Sequence, residues 1–167
     1  MFENISIRGR MAYMICSFEK LLLYYKCNKE EWKGLLEKLW KYTSTEFLDD
    51  WMYEIAEYMP ESVLEDSFEG AEFISVGEYT HLQKLYRNTD AKVLSFLRSV
   101  FECGTCDLYS KIYNYSPNTI KCVRQATDIL KNLNIELMDA KLFEKYAYTD
   151  CNGWGFPFEG KKMSIIL

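Results

Sequence analysis

The sequence predicts an all-α chain: one domain over residues 1–167, a bundle of six to eight helices closed by an irregular C-terminal tail. Three observations carry this. Only 3 prolines and 8 glycines punctuate the chain, too few for the many turns of an all-β fold. Apolar residues recur at steps of three and four along most of its length. The length suits a single core, and 49% hydrophobic with 27% charged residues is the balance of a folded globular chain.

The elements follow in order. A first helix is expected from about Ser6 to Lys26, because Ile7, Met11, Met14, Ile15, Phe18, Leu22 and Tyr25 recur at the spacing of one helical face. Asn28 caps a second, with Trp32, Leu35, Leu36, Leu39 and Trp40 as its stripe and an end near Thr43. Ser44 or Thr45 caps a third, with Phe47, Leu48, Trp51, Met52, Ile55 and Met59 facing inward. Pro60 stops it, since a residue before proline is pushed out of the α region. From Glu61 to Val76 the pattern weakens to a short helical turn and a loop anchored by Phe68, Phe73, Ile74 and Val76. Gly77 to Tyr86 fits another helix, and Asp90 caps a long one lined by Val93, Leu94, Leu97, Val100, Phe101 and Leu108. Ser116-Pro117 is a strong helix start, because proline at the first helical position has no N–H to leave unpaired. A short helix at Ala140 to Tyr146 precedes the tail DCNGWGFPFEGKKMSIIL, which Trp154 is expected to hold against the bundle.

Compartment follows from what is missing. The segment MFENISIRGRM carries charges where a signal peptide would be apolar, and LLLYY falls far short of the about 20 residues that span a bilayer. A cytosolic chain is expected, in which six cysteines act as small buried hydrophobes and not as a disulfide framework.

Charge is unevenly distributed. From Tyr42 to Gln83 there is no lysine or arginine, while 11 carboxylates fall in the window, so a net charge of -5 divides into -11 there and +6 elsewhere. On the third helix Glu46, Asp50, Tyr53, Glu54 and Glu57 recur at three and four, which predicts an exposed acidic face opposite the apolar stripe. Like charges at this spacing cost a few tenths of a kcal/mol per pair in an isolated helix. Two readings stay open: a solvated face that promotes solubility, or a docking surface for a cationic protein, whose approach a concentrated negative field accelerates.

Catalytic chemistry finds little support. His81 is the only histidine, so no site of two imidazoles exists and one candidate general base is left, with Glu78 or Glu72 as its possible partner. Cys103-Gly-Thr-Cys106 has metal-like spacing, but no second pair completes a tetrahedral zinc site, so two buried thiols are expected. Asp49 and Asp50 are adjacent and point about 100° apart on a helix, not at one substrate. Phosphate-binding glycine loops are absent. A non-enzyme with no catalytic, cofactor-binding or metal-ligating residue is expected.

The segments NISIRGRMAYMICSFEKLLLYY, LDDWMYEIAEYMPESVLED and CNGWGFPFEG resemble those of small helical immunity proteins of bacterial polymorphic toxin and contact-dependent growth inhibition systems. The resemblance covers nearly the whole chain. It implies a cytosolic antitoxin that binds one cognate toxin domain, often a nuclease, and blocks its active site, with no contact to nucleic acid or membrane. The interface residues rest on the charge argument instead: Asp49, Asp50, Tyr53, Glu54, Glu57, Tyr58, Glu61, Glu65, Glu72 and Glu78, with Tyr53 and Trp51 or Tyr58 near the centre. Arg8 and Arg10 are expected to be structural, paired with carboxylates of neighbouring helices. The alternative is an acidic nucleic-acid mimic or regulatory protein that occupies a DNA-binding protein through the same carboxylates, without a toxin partner.

Overall fold

The computed structural model describes residues 2–65 and 67–167, so Asp66, one of the eleven carboxylates, lies outside the described residues. They form one all-α domain: α1 (Ile7–Tyr24), α2 (Lys29–Ser44), α3 (Leu48–Ala56), α4 (Pro60–Leu64), α5 (Val76–Arg87), α6 (Ala91–Thr105) and α7 (Pro117–Asn132). Short 3₁₀ turns follow at Ala140–Phe143, Asp150–Gly153 and Gly160–Met163. No helix among the described residues is long and apolar enough to cross a membrane.

The organising element is α1. Its spacing predicts one apolar face, yet it is buried on every side from Ile7 to Glu19. The reason is position: α2, α6 and α7 pack around it, and the turns at 140–143 and 160–163 close the gaps. A helix enclosed on every side must also find partners within the domain for its polar side chains. Gly9 fits this crowding, because a Cβ there would lie 2.6 Å from the Ile5 side chain. Around α1 the core is aromatic, with Phe18 against Trp32 and Phe96, and Trp51 edge-on to Tyr42. Burying each such ring contributes about 2–3 kcal/mol.

Three charged side chains on α1, Arg8, Arg10 and Glu19, enter this core, and the two arginines do not pair as expected. Arg8 and Arg10 meet backbone carbonyls in place of carboxylates. Arg8 Nη1 donates to the Tyr42 carbonyl at the end of α2, one of the acceptors a helix terminus leaves open. Arg10 donates to the carbonyls of Phe2, Tyr115 and Ser116 and to the Thr119 hydroxyl, tying the N-terminal segment to the start of α7. Asn114, Tyr115 and Ser116 are left-handed there, at φ 47°, 62° and 54°. Non-glycine residues in that region cost of order 1–3 kcal/mol each and persist only where neighbours hold them. Arg10 does so by binding two of their carbonyls. Glu19 accepts the Trp40 indole N–H at 2.8 Å, the Ser164 hydroxyl at 2.6 Å and the Ile165 amide at 2.7 Å, which clamps the C-terminal segment to the centre of the domain.

The tail is also anchored at the other end of α1. The Trp154 carbonyl accepts from the Arg8 amide at 3.0 Å, satisfying a first-turn donor, and Ser6 donates to Tyr146 at 2.7 Å. Gly155 sits at φ +81°, and a side chain there would collide with Ser6, so this turn needs glycine on both counts. Trp154 thus holds the tail against the bundle as expected.

Expected caps at Asn28, Asp90 and Ser116 are present, each with its side chain accepting a first-turn amide. The third helix needs correction. Ser44 is the last residue of α2 and Thr45 its C-cap, so α3 starts later, after an extended Phe47 whose ring is exposed and not inward. It ends at Ala56, and Pro60 begins α4 at its first position, where proline is favoured. In the following loop Ile74 is buried and Phe68 half-buried, but Phe73 and Val76 face solvent. Leu108 lies beyond the end of α6 and is half-buried. All six cysteines are free thiols; Cys16, Cys103 and Cys122 are buried, Cys27 and Cys106 half-buried, and Cys151 exposed.

Candidate acidic interface

The absence of lysine and arginine from residues 42–83 does not hold in space. Cations arrive from neighbouring helices. Lys38 of α2 pairs with Glu54 at 2.9 Å and reaches Glu78 at 4.0 Å, Lys41 lies 3.6 Å from Glu54, and Arg98 of α6 pairs with Glu61. Burial lowers the Lys38 pKa, but its hydrogen bonds to Glu54 and Tyr58 outweigh that and raise it, so the ammonium is held charged.

Other carboxylates build the local backbone. Glu57 accepts the amides of Glu72, Phe73 and Ile74 at 2.8, 2.8 and 2.9 Å, fixing the loop that leads into α5. Desolvation pushes its pKa up, but those three amides prevail and hold it below the ordinary carboxylate range. Glu78 closes a capping box with Ser75: the Ser75 side chain accepts the Glu78 amide and the Glu78 carboxylate accepts the Ser75 amide. Its pKa is likewise lowered, by the Ser75 bonds acting against desolvation.

Tyr58 and Trp51 are therefore not surface anchors. Tyr58 is 2% exposed, with the Lys38 ammonium 4.6 Å from its ring centre, and Trp51 is buried with its indole donating to the Lys38 carbonyl. Trp51 lies on the inward side of α3 and Tyr58 just beyond its end, and Lys38, arriving from α2, joins them to the Glu54 carboxylate. Glu54, Glu57, Glu61 and Glu78 consequently serve the fold, and an interface built on them would compete with it.

What is left open forms two groups. Glu46, Asp49 and Asp50 are exposed at the start of α3, where negative charge also complements the helix dipole. Glu65, Glu69 and Glu72 are exposed around the loop between α4 and α5. None of the six is in an ion pair among the described residues. Tyr53 is exposed beside the first group, its hydroxyl 3.2 Å from that of Tyr109, a residue no charge pattern singled out.

The remaining chemical candidates are dispersed. His81 Nε2 lies 3.1 Å from the Glu31 carbonyl of α2, and no carboxylate meets it among the described residues. Cys103 and Cys106 lie within hydrogen-bonding reach of Cys122 on α7, a third thiol that linear spacing did not connect to them. Among the described residues no group of three histidine, cysteine or acidic side chains is arranged to hold a metal ion. The class these features define is an all-α domain with an acidic, partly self-neutralised surface. No family model matches the chain, and neither curated proteins nor solved structures match it.

Proposed function

We propose that the chain is an immunity protein: a cytosolic, non-catalytic antitoxin that binds a cognate toxin domain and neutralises it by covering its active surface. The observation that carries the reading is the set of carboxylates left exposed and unpaired after the structural ones are discounted, above all Glu46, Asp49 and Asp50 beside Tyr53. A negative field of this kind raises the encounter rate with a positive partner, and nucleases are positive because they bind phosphates. The resemblance to helical immunity proteins supports the same reading.

Co-expression with the protein domain encoded immediately upstream of its gene tests this. A complex that co-elutes, weakens with salt and lets the cells survive is the expected result. Failure to form a complex together with failure to rescue growth overturns it. Competition of DNA with this chain for a host DNA-binding protein, with no toxin complex, would establish the nucleic-acid mimic in its place.

A further inference from the structure

Two neighbouring parts of the α3 surface offer the same chemistry with different outcomes. On one, the Glu54 carboxylate and the ring of Tyr58, just beyond the helix, hold the Lys38 ammonium at 2.9 and 4.6 Å. On the other, Asp49, Asp50 and the Tyr53 ring present a carboxylate and phenol combination to solvent, and no described cation occupies it. A cation beside a carboxylate and over an aromatic face gains from both the charge and the ring quadrupole.

The open side borders a groove. Tyr109 and Phe47, 72% and 59% exposed, lie together there. They flank a cleft of about 480 Å³ lined also by Glu46, Leu108 and Trp154, which shares Ser110 and Trp154 with a second cleft of about 700 Å³ beside Tyr148. Exposed aromatics beside charged groups are the usual composition of binding anchors; Glu46 and Asp49 supply the negative charge in the first cleft, while Arg8 there and Lys111 in the second are the cations of the lining.

We infer that this groove, between the start of α3, the segment after α6 and residues 151–157, seats a protein segment bearing an arginine or lysine, whose cation enters between Asp49 and the rings of Tyr53 and Tyr109, with Asp50 adding to the negative field beside it. The inference rests on the antitoxin reading and deepens it by placing the centre of docking. Arg8, 4% exposed, also lines the cleft, so a second cation is repelled from its neighbourhood. The basic side chain therefore seats at the rim, and the apolar part of the segment lies on Phe47 and Trp154. Near the other open carboxylates, Glu65, Glu69 and Glu72, Phe73 and Val76 are also exposed, but neither lines the cleft there, whose rings Phe68 and Tyr79 are half-buried and packed on each other.

The test compares two double charge reversals of equal net change, D49K/D50K and E69K/E72K, together with Y109A, by calorimetric titration against the upstream-encoded domain. D49K/D50K and Y109A are expected to lose at least tenfold in affinity and E69K/E72K no more than about threefold. Melting temperatures accompany each variant, and should D49K/D50K unfold, the exposed Tyr109 decides through Y109A. Equal losses for both reversals, or full affinity in Y109A, overturn the placement while leaving the antitoxin reading intact. A wild-type chain that binds nothing overturns both.

Discussion

The carboxylate of Glu19, at the middle of the buried α1, accepts the indole N–H of Trp40 from α2 at 2.8 Å. The same carboxylate holds Ser164 and the amide of Ile165, so one side chain joins two helices and the C-terminal segment. Removing it leaves the buried Trp40 indole N–H without an acceptor, at about 1–3 kcal/mol, and releases the part-buried donors of Ser164 and Ile165, which water satisfies in part. Glu19→Ala is expected to lose about 3 kcal/mol or more in urea unfolding, and to open residues 160–167 to proteolysis before the rest of the chain. Trp40→Phe removes one donor only and should leave the C-terminal segment protected.

Arg10 predicts a comparable loss by another route. Its guanidinium donates to the carbonyls of Tyr115 and Ser116, which lie in three successive left-handed residues. Arg10→Leu keeps the apolar volume but releases that turn and leaves several acceptors unpaired, at an expected cost of about 3–5 kcal/mol by denaturant titration. Faster amide exchange at the start of α7 should accompany it. A Leu variant as stable as the parent would show that the turn needs no clamp.

Acid sensitivity should centre on Glu57. Its pKa is lowered in the folded chain, because three amides favour the ionised form against desolvation. A lowered folded pKa adds stability above the unfolded value of about 4.5, and that stability is lost as pH falls through the folded pKa. Glu57→Gln is therefore expected to flatten the stability profile below about pH 5. Amide exchange at Glu72, Phe73 and Ile74 reports it directly, since a glutamine offers these donors one acceptor oxygen where the carboxylate offers two.

Charge reversal should separate structural from open carboxylates. Glu54→Lys places a third cation beside Lys38 and Lys41, and is expected to lower stability by about 1–2 kcal/mol. Asp49→Lys removes only a favourable helix-terminus charge, at about 0.3–1 kcal/mol. Thermal unfolding of the two variants at low salt tests the order.

Thiol labelling should follow burial. Cys151 is exposed and is expected to react first with an aromatic disulfide reagent, whereas Cys16, Cys103 and Cys122 wait for unfolding, about a thousandfold slower or more. Desolvation also pushes the Cys16 pKa up to about 12, which removes its thiolate at neutral pH. Prompt labelling of Cys16 in the native chain would contradict its place in the core.

Local signals in the sequence carried most of the helices. Asn28, Asp90 and the Ser116-Pro117 pair mark helix starts because a cap acts within three residues, a range that a linear reading covers. The boundary of α3 was not legible, because two adjacent cap candidates, Ser44 and Thr45, were absorbed into the end of α2. The acidity of residues 42–83 was equally plain, and so were its exposed members Asp49, Asp50 and Tyr53. Its meaning was not, because Lys38, Lys41 and Arg98 lie outside the window and reach Glu54 and Glu61 only when the helices pack. The burial of α1 on all sides belongs to the same category: its apolar spacing says that it faces a core, while only the arrangement of α2, α6 and α7 around it turns Arg8, Arg10 and Glu19 into internal clamps. Caps, stripes and charge runs are short-range along the chain, and an ion pair or a buried acceptor depends on which distant segment arrives beside it.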